Sequence, residues 1–147
     1  VTPYFLPDRN LQTVLSLALL RQIDVQIVIP QRSNKSLVNC AVRANLRFHR
    51  DVALQIFQTP PPFDHSKLMT VDGGMCLIGS SNWDVRSHRL NFELDREAYD
   101  RDLTAKIDQI IDRKIASATR LDPDALDSAP RWTKLRDAGA RLFLPHL

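Results

Sequence analysis

Residues 25–29, VQIVI, form a short and almost unbroken apolar run with a helical pattern on each side. A strand covered on one face alternates polar with apolar residues, whereas a strand covered on both faces has no need to. Upstream, Asp8 is a good helix N-cap, and Leu11, Val14, Leu15, Ala18 and Leu19 recur at helical spacing. Downstream, beyond the polar loop QRSNKS, Leu37, Val38, Ala41 and Val42 suggest a second helix. A strand is expected over residues 1–6, ended by Pro7, and another over residues 53–57, ALQIF. Strands and helices that alternate in this way predict an α/β fold.

The second half of the chain changes pattern. A proline-rich loop, residues 58–64, leads to a strand over residues 67–71. Gly73-Gly74 is expected to supply the positive backbone angles of a tight hairpin, with MCLIG, residues 75–79, as the returning strand. A further strand is expected over residues 92–97. Leu103, Ile107, Ile110, Ile111 and Ile115 mark a long amphipathic helix, and a last helical segment runs from about Trp132 to Phe143. The expected architecture is a mixed β-sheet layered by α-helices. Residues 1–120 carry the sheet, and residues 121–147 form a helical appendage.

Composition narrows the class. Of the 147 residues, 44% are hydrophobic and 25% charged, as in a soluble globular protein rather than a disordered one. The most apolar stretch, residues 15–20, which Ser16 interrupts, is far shorter than the roughly 18 residues of a membrane span. No basic-then-apolar signal peptide opens the chain. The first residue is Val1 rather than methionine, so the chain is expected to be a piece of a longer protein, with any targeting or membrane segment upstream. Cys40 and Cys76 have no C-x-x-C spacing, which suits a reducing compartment without a disulfide framework. No zinc-ligand spacing is present, and neither a metal nor a cofactor is expected. The net charge of +3 mildly favours anionic partners such as phosphates, lipid headgroups or nucleic acid.

The chemistry concentrates in HSKLMTVD, residues 65–72. His65 and Lys67 are two residues apart, so an extended backbone points both to one face. Asp72 lies five residues beyond Lys67, on the other face of a regular strand, and is a natural turn residue before Gly-Gly. GSSN, residues 79–82, offers small neutral donors at a strand end. A phosphodiester has a use for each group. Its non-bridging oxygens need cationic or hydrogen-bonding donors, and its phosphorus needs a nucleophile such as a neutral imidazole. Glu93 is the candidate partner for the other ring nitrogen. Each residue alone has a bland reading: an exposed loop histidine, a solvated strand lysine, an ordinary turn. The set at this spacing points to a phosphodiester site.

HSKLMTVD matches the H-x-K-x-x-x-x-D signature of the phospholipase D superfamily, and GSSN stands at its G-S-x-N segment. DVRSHRLNFELD, residues 84–95, resembles the D-x-R-S-x-x-L-N-x-E pattern of bacterial cardiolipin synthases. TPYFLPD, residues 2–8, is similar to the start of their second catalytic half, and RWTKLRDAGARLFLPHL to their C-terminal tail. The resemblance implies one half of a two-half α-β-α sandwich. It implies His65 as nucleophile or general acid through a phosphohistidine, Lys67 as phosphate ligand, and Ser80 and Asn82 as pocket lining. Glu93 would orient the histidine, and Asp72 would play a largely structural part. His88 and Trp83 depart from the family pattern, while His49 and His146 match nothing catalytic.

The family mechanism needs two histidines, and no second H-x-K occurs here. The matching half is expected N-terminal in the full-length chain, or else from a homodimer partner. The implied substrate is a phospholipid, transferred to phosphatidylglycerol or another alcohol. Hydrolysis by water, and a metal-independent dimeric nuclease, are the alternatives, and the fragment by itself is expected to be inert unless it dimerises. Nucleic acid is the disfavoured partner. Trp132, Leu135, Leu142 and Phe143, with Lys134, Arg136 and Arg141, describe a helix face that suits an anionic membrane or packs back on the domain. The resemblance tilts the expectation to a membrane-associated protein whose catalytic domain faces the cytoplasm.

Overall fold

The computed structural model describes residues 1–34, 36–48, 54–122 and 128–141. In chain order the elements are β1 (Phe5–Leu6), α1 (Arg9–Leu20), β2 (Gln26–Pro30), α2 (Ser36–Phe48), β3 (Gln55–Thr59), β4 (Leu68–Val71) and β5 (Met75–Gly79). They continue with β6 (Trp83–Asp84), α3 (Val85–Arg89), β7 (Asp95–Ala98), α4 (Arg101–Ser117), β8 (Thr119–Arg120) and α5 (Arg131–Arg141). The α/β expectation is met. β2 and β3 pair in parallel, with Ile27 opposite Ile56, and a parallel pair needs a crossover, which α2 supplies. β8 adds to β3 in the antiparallel sense, and β4, β5 and β7 form an antiparallel meander.

The first six residues join these small sheets. Thr2 N–H donates to Val28 O at 3.0 Å, and Leu68 N–H donates to Val1 O at 3.1 Å. β1 itself runs parallel to β6 through Phe5 and Trp83. The strand expected over residues 1–6 is therefore only two residues long by pairing, because its first residues bond singly to strands on either side. That seam ties the motif strand β4 to the buried strand β2.

Side chains alternate across β2. Ile27 and Ile29 join Phe5, Leu15 of α1, Leu46 of α2 and Ile56 in one buried cluster. Val28 is buried too and points to the other face, where α4 packs with Ile107 and Thr104 buried. The sheet is thus covered on both sides, which is why VQIVI does not alternate. Asp8 caps α1 by accepting from Leu11 N–H at 2.9 Å, as its position suggested, and Asp100 caps α4 through Leu103 N–H at 2.9 Å. Such caps contribute about 1 kcal/mol each. Cys76 is buried in the core as a free thiol.

Two boundaries moved. The hairpin turn carries its positive φ at Asp72 (48°) and Gly73 (61°), not at Gly73 and Gly74. A short polar side chain tolerates the left-handed region, so Asp72 takes the first place and Gly74 N–H closes the turn on Val71 O at 3.0 Å. The strand expected over residues 92–97 begins pairing only at Asp95. Ala53 of the expected ALQIF strand lies outside the described residues, as do His49 and His146.

α5 packs against α2. Asp137 is fully buried between Arg43 (3.2 Å) and Arg136 (3.1 Å), and Ala140 joins Leu6, Val38 and Ala41 in a second cluster. Trp132 and Leu135 face outward, with Arg136 stacked 5.4 Å from the indole centroid. Leu142 and Phe143 of the expected helix face are outside the described residues. Among the described residues, no helix is long and apolar enough to cross a membrane.

Candidate active site

The motif loop reaches its place by a lock made before the strand starts. Asp64 accepts from Ser66 N–H (3.0 Å), from the Ser66 hydroxyl (2.6 Å) and from Lys114 Nζ (2.5 Å) on α4. Burial works against the Asp64 charge, but Lys114 and Ser66 outweigh it and bring its pKa down to about 2. The backbone of residues 64–66 is thereby fixed to α4, and the chain enters β4 with His65 and Lys67 directed to one cavity.

That cavity holds about 620 Å³ and is lined by His65, Lys67, Gly79, Ser80, Asn82 and Glu93, among others. Lys67 is only 8% exposed. Its Nζ donates to the His65 carbonyl at 2.9 Å and lies 2.9 Å from His65 Nδ1 and 3.3 Å from Nε2. Among the described residues no carboxylate stands within ion-pair distance of it. Burial pushes the Lys67 pKa down, countered in part by the more distant charges of Glu93, Asp64 and Asp84. The His65 ring is exposed to the cavity. Burial of its surroundings and then the Lys67 charge lower its pKa, so it is held neutral where an ordinary imidazole would begin to charge.

GSSN forms the facing wall for a steric reason. A Cβ on Gly79 would come within 2.7 Å of Asp95 Cα, so only glycine lets β7 cross there. Ser80 Oγ accepts from Leu94 N–H at 2.9 Å, and Ser81 bonds to Asp95 through its backbone N–H (3.1 Å) and its hydroxyl. Asn82 donates to Ser87 Oγ at 3.2 Å, while its buried Oδ1 has no partner.

Glu93 lines the cavity but does not bond to His65, contrary to the expectation that it would hold that ring. Its carboxylate accepts from Ser87 (3.0 Å) and Asn91 (3.1 Å). Hydrogen bonds from Ser80, Asn91 and Ser87 keep it below the ordinary glutamate range. The cause is local: Asp84 caps α3 through Ser87 N–H (2.7 Å), and this turn brings the Ser87 hydroxyl up to the acid. Asp72 is exposed in the hairpin turn and does not line the cavity.

Of the six singled-out residues, His65, Ser80, Asn82 and Glu93 thus meet Lys67 in one cavity, and Asp72 alone stays away. Tyr4, Phe63, Asp64, Ser87 and Lys114 were not foreseen. Asp64 and Ser66 adjoin the motif and carried a local signal, whereas Lys114 lies on a helix fifty positions on and carried none. Tyr4 stands edge-on to His65 at 6.1 Å and Phe63 lies 5.8 Å from it. Among the described residues, no three His, Cys, Asp or Glu side chains gather to hold a metal ion.

The arrangement is a buried ammonium beside a neutral imidazole, faced by amide and hydroxyl groups, which is suited to an anion with an electrophilic centre. The family model described as cardiolipin synthase, PLD-like domain, matches residues 1–115. The cardiolipin synthase of Geobacillus sp. (strain WCH70) is 33% identical over 146 residues, covering 99% of this chain and 29% of that protein. The cardiolipin synthase of Listeria monocytogenes serotype 4a (strain HCC23) is 30% identical over 146 residues, 99% of this chain and 30% of that one. This chain therefore spans just under a third of the length of these curated relatives. Among solved structures, phosphatidylserine synthase of Haemophilus influenzae Rd KW20 superposes with a TM-score of 0.77 at 19% identity, over 99% of this chain and 40% of that one. Nuc of Salmonella typhimurium, a phospholipase D family member, superposes at 0.69 and 19% identity, over 82% of this chain and 78% of that one. The chain belongs to the cardiolipin synthase, phospholipase D-like domain family.

Proposed function

We propose that this chain is one catalytic half of a phosphatidyltransferase of cardiolipin synthase type. The observation that carries the reading is Lys67: an ammonium held out of bulk water, beside a neutral imidazole and without a carboxylate at ion-pair distance among the described residues. Such a charge is costly to keep unless an anion is to meet it.

In the reaction, a phospholipid phosphodiester enters the cavity, and Lys67 and Asn82 bind its non-bridging oxygens. His65 attacks phosphorus, a P–N bond forms, and the P–O bond to the leaving alcohol breaks. The alkoxide takes a proton from an imidazolium of the matching half. An incoming alcohol then loses its proton to that imidazole and attacks phosphorus, and the P–N electron pair returns to His65. The lowered pKa of His65 favours the attacking role over the acid role. Glu93 lines the cavity without touching His65, so the imidazole it can orient is one brought by the matching half.

That half is proposed to lie in the same full-length chain, and the site to work at a membrane surface on the cytoplasmic side. Hydrolysis shares the first step and differs only in the acceptor. The nuclease reading has less support, since identity above 30% is found with cardiolipin synthases and the likeness to Nuc is one of fold. The test is a lipid assay on the full-length protein with chelator present and headgroup products resolved. Transfer to phosphatidylglycerol that vanishes in H65A is expected. Substantial turnover in H65A, or cleavage of DNA but not lipid, would overturn the assignment.

A further inference from the structure

Ser87 is buried, at 6% exposure, and does not line the cavity, yet its hydroxyl joins two residues that do. It donates to Glu93 Oε1 at 3.0 Å and accepts from Asn82 Nδ2 at 3.2 Å. The backbone N–H of Ser87 is committed elsewhere, to the Asp84 carboxylate that caps α3, at 2.7 Å. The cap therefore holds the Ser87 oxygen in place without using it.

The direction of these bonds follows from proton counting. A carboxylate only accepts, and a hydroxyl has one proton to give. Hydrogen bonds from Ser80, Asn91 and Ser87 keep Glu93 ionised. Ser87 thus spends its proton on Glu93 and turns a lone pair to Asn82, and only the nitrogen of that amide can meet a lone pair. Among the described residues nothing else holds the amide. Its Oδ1 is shut away from solvent and accepts from none of them, and its second amide hydrogen donates to none. The nitrogen is the end left for a ligand, and a phosphate oxygen needs such a donor. Turned about, the amide would show the phosphate a carbonyl and repel it.

We propose that Ser87 is a positioning residue, which uses the charge of Glu93 to fix the Asn82 amide with its nitrogen, not its carbonyl, available to the bound phosphate. The proposal rests on the phosphotransfer reading of the cavity and deepens it, giving Glu93 a task within its own half. Without the Ser87 oxygen the amide is free to turn. The Lys67 ammonium in the same cavity then attracts its carbonyl, and Asn82 competes with the phosphate for the cation. The loss falls on phosphate binding. Were Ser87 only a seat for Glu93, the loss would fall on proton transfer and leave binding alone.

The test is a double-mutant cycle on the full-length protein, with phosphatidylglycerol in mixed micelles and KM and kcat read separately. S87A keeps the backbone N–H that Asp84 holds. It is expected to raise KM about tenfold, the effect of one hydrogen bond to a charged group, and to change kcat less than about threefold. In an N82A background, S87A is expected to raise KM less than about twofold, because the amide it acts through is gone. An unchanged KM in S87A, a loss confined to kcat, or the same rise in KM with and without N82A overturns the positioning role and leaves the phosphotransfer reading standing. Turnover persisting in H65A overturns that reading instead, and Asn82 then has no phosphate for Ser87 to serve. Should urea unfolding show that S87A does not fold, S87C, of similar volume and weaker bonding, replaces it in the cycle with the same expected signs.

Discussion

Replacing Lys67 with methionine is expected to make the domain more stable while destroying its activity. Lys67 is 8% exposed as a residue, and the fixed contacts of its ammonium are the His65 carbonyl and ring. An unpaired ion taken out of water costs several kcal/mol, but the cavity is open and leaves part of its hydration. The net penalty is then about 2 kcal/mol, against about 1 kcal/mol lost with the hydrogen bond to the carbonyl. Methionine has a similar unbranched shape and bears neither term, so K67M should gain about 1 kcal/mol, a rise of roughly half a molar in the urea midpoint. The sign with pH follows from the lowered pKa of Lys67. Between its folded value and the ordinary lysine value the unfolded chain binds more protons, so the wild type gains stability as pH rises through that window. The advantage of K67M should therefore be largest near pH 7 and shrink towards pH 10. Urea unfolding of the two chains at both pH values measures it, beside a lipid assay in which K67M loses about 100-fold or more. A less stable K67M would show that Lys67 is a net structural asset, and the argument from a cation kept in reserve would fail.

Three further outcomes are expected. An NMR titration of His65 should show a pKa below the ordinary imidazole range and a rise in K67M. Burial and then the lysine charge both disfavour the imidazolium, and the substitution removes the second. E93Q should cut turnover about 100-fold while leaving the His65 titration in this chain nearly unmoved, since Glu93 bonds to Ser87 and Asn91 rather than to His65. A shift as large as that of K67M would show direct contact. K114A should cost about 1–2 kcal/mol by stranding Asp64, read by thermal unfolding. The Asp64 pKa is depressed to about 2, so its contribution is present above about pH 4, where the unfolded carboxylate is ionised, and is lost as pH falls towards 2.

The sequence made the parallel core legible because burial on both faces leaves its mark in VQIVI, and because Asp8 announces the helix it caps. The pairing of His65 with Lys67 was legible for a similar reason: two-residue periodicity alone directs both to one face. What stayed hidden depends on contacts distant in the chain. β6 and β8 are two residues long, too short for any period to register. Lys114 finds Asp64 only after α4 folds over β4 and β5. Glu93 bonds to Ser87 rather than to His65 because α3, a five-residue helix with no apolar stripe to announce it, brings the Ser87 hydroxyl to the acid. The hairpin was predicted, but its positive angles fell one residue early, since Asp and Gly both tolerate them and the pattern does not choose between them.

The central claim is that the His65 imidazole takes the phosphoryl group while Lys67 holds its charge. Its most direct test is to quench the full-length protein during turnover with labelled phosphatidylglycerol and map the adduct by mass spectrometry. A phosphatidyl group on the peptide carrying His65, held by an acid-labile P–N bond and absent from H65A, is the predicted result. An adduct found only on another histidine, with none on His65, would contradict the role given to it.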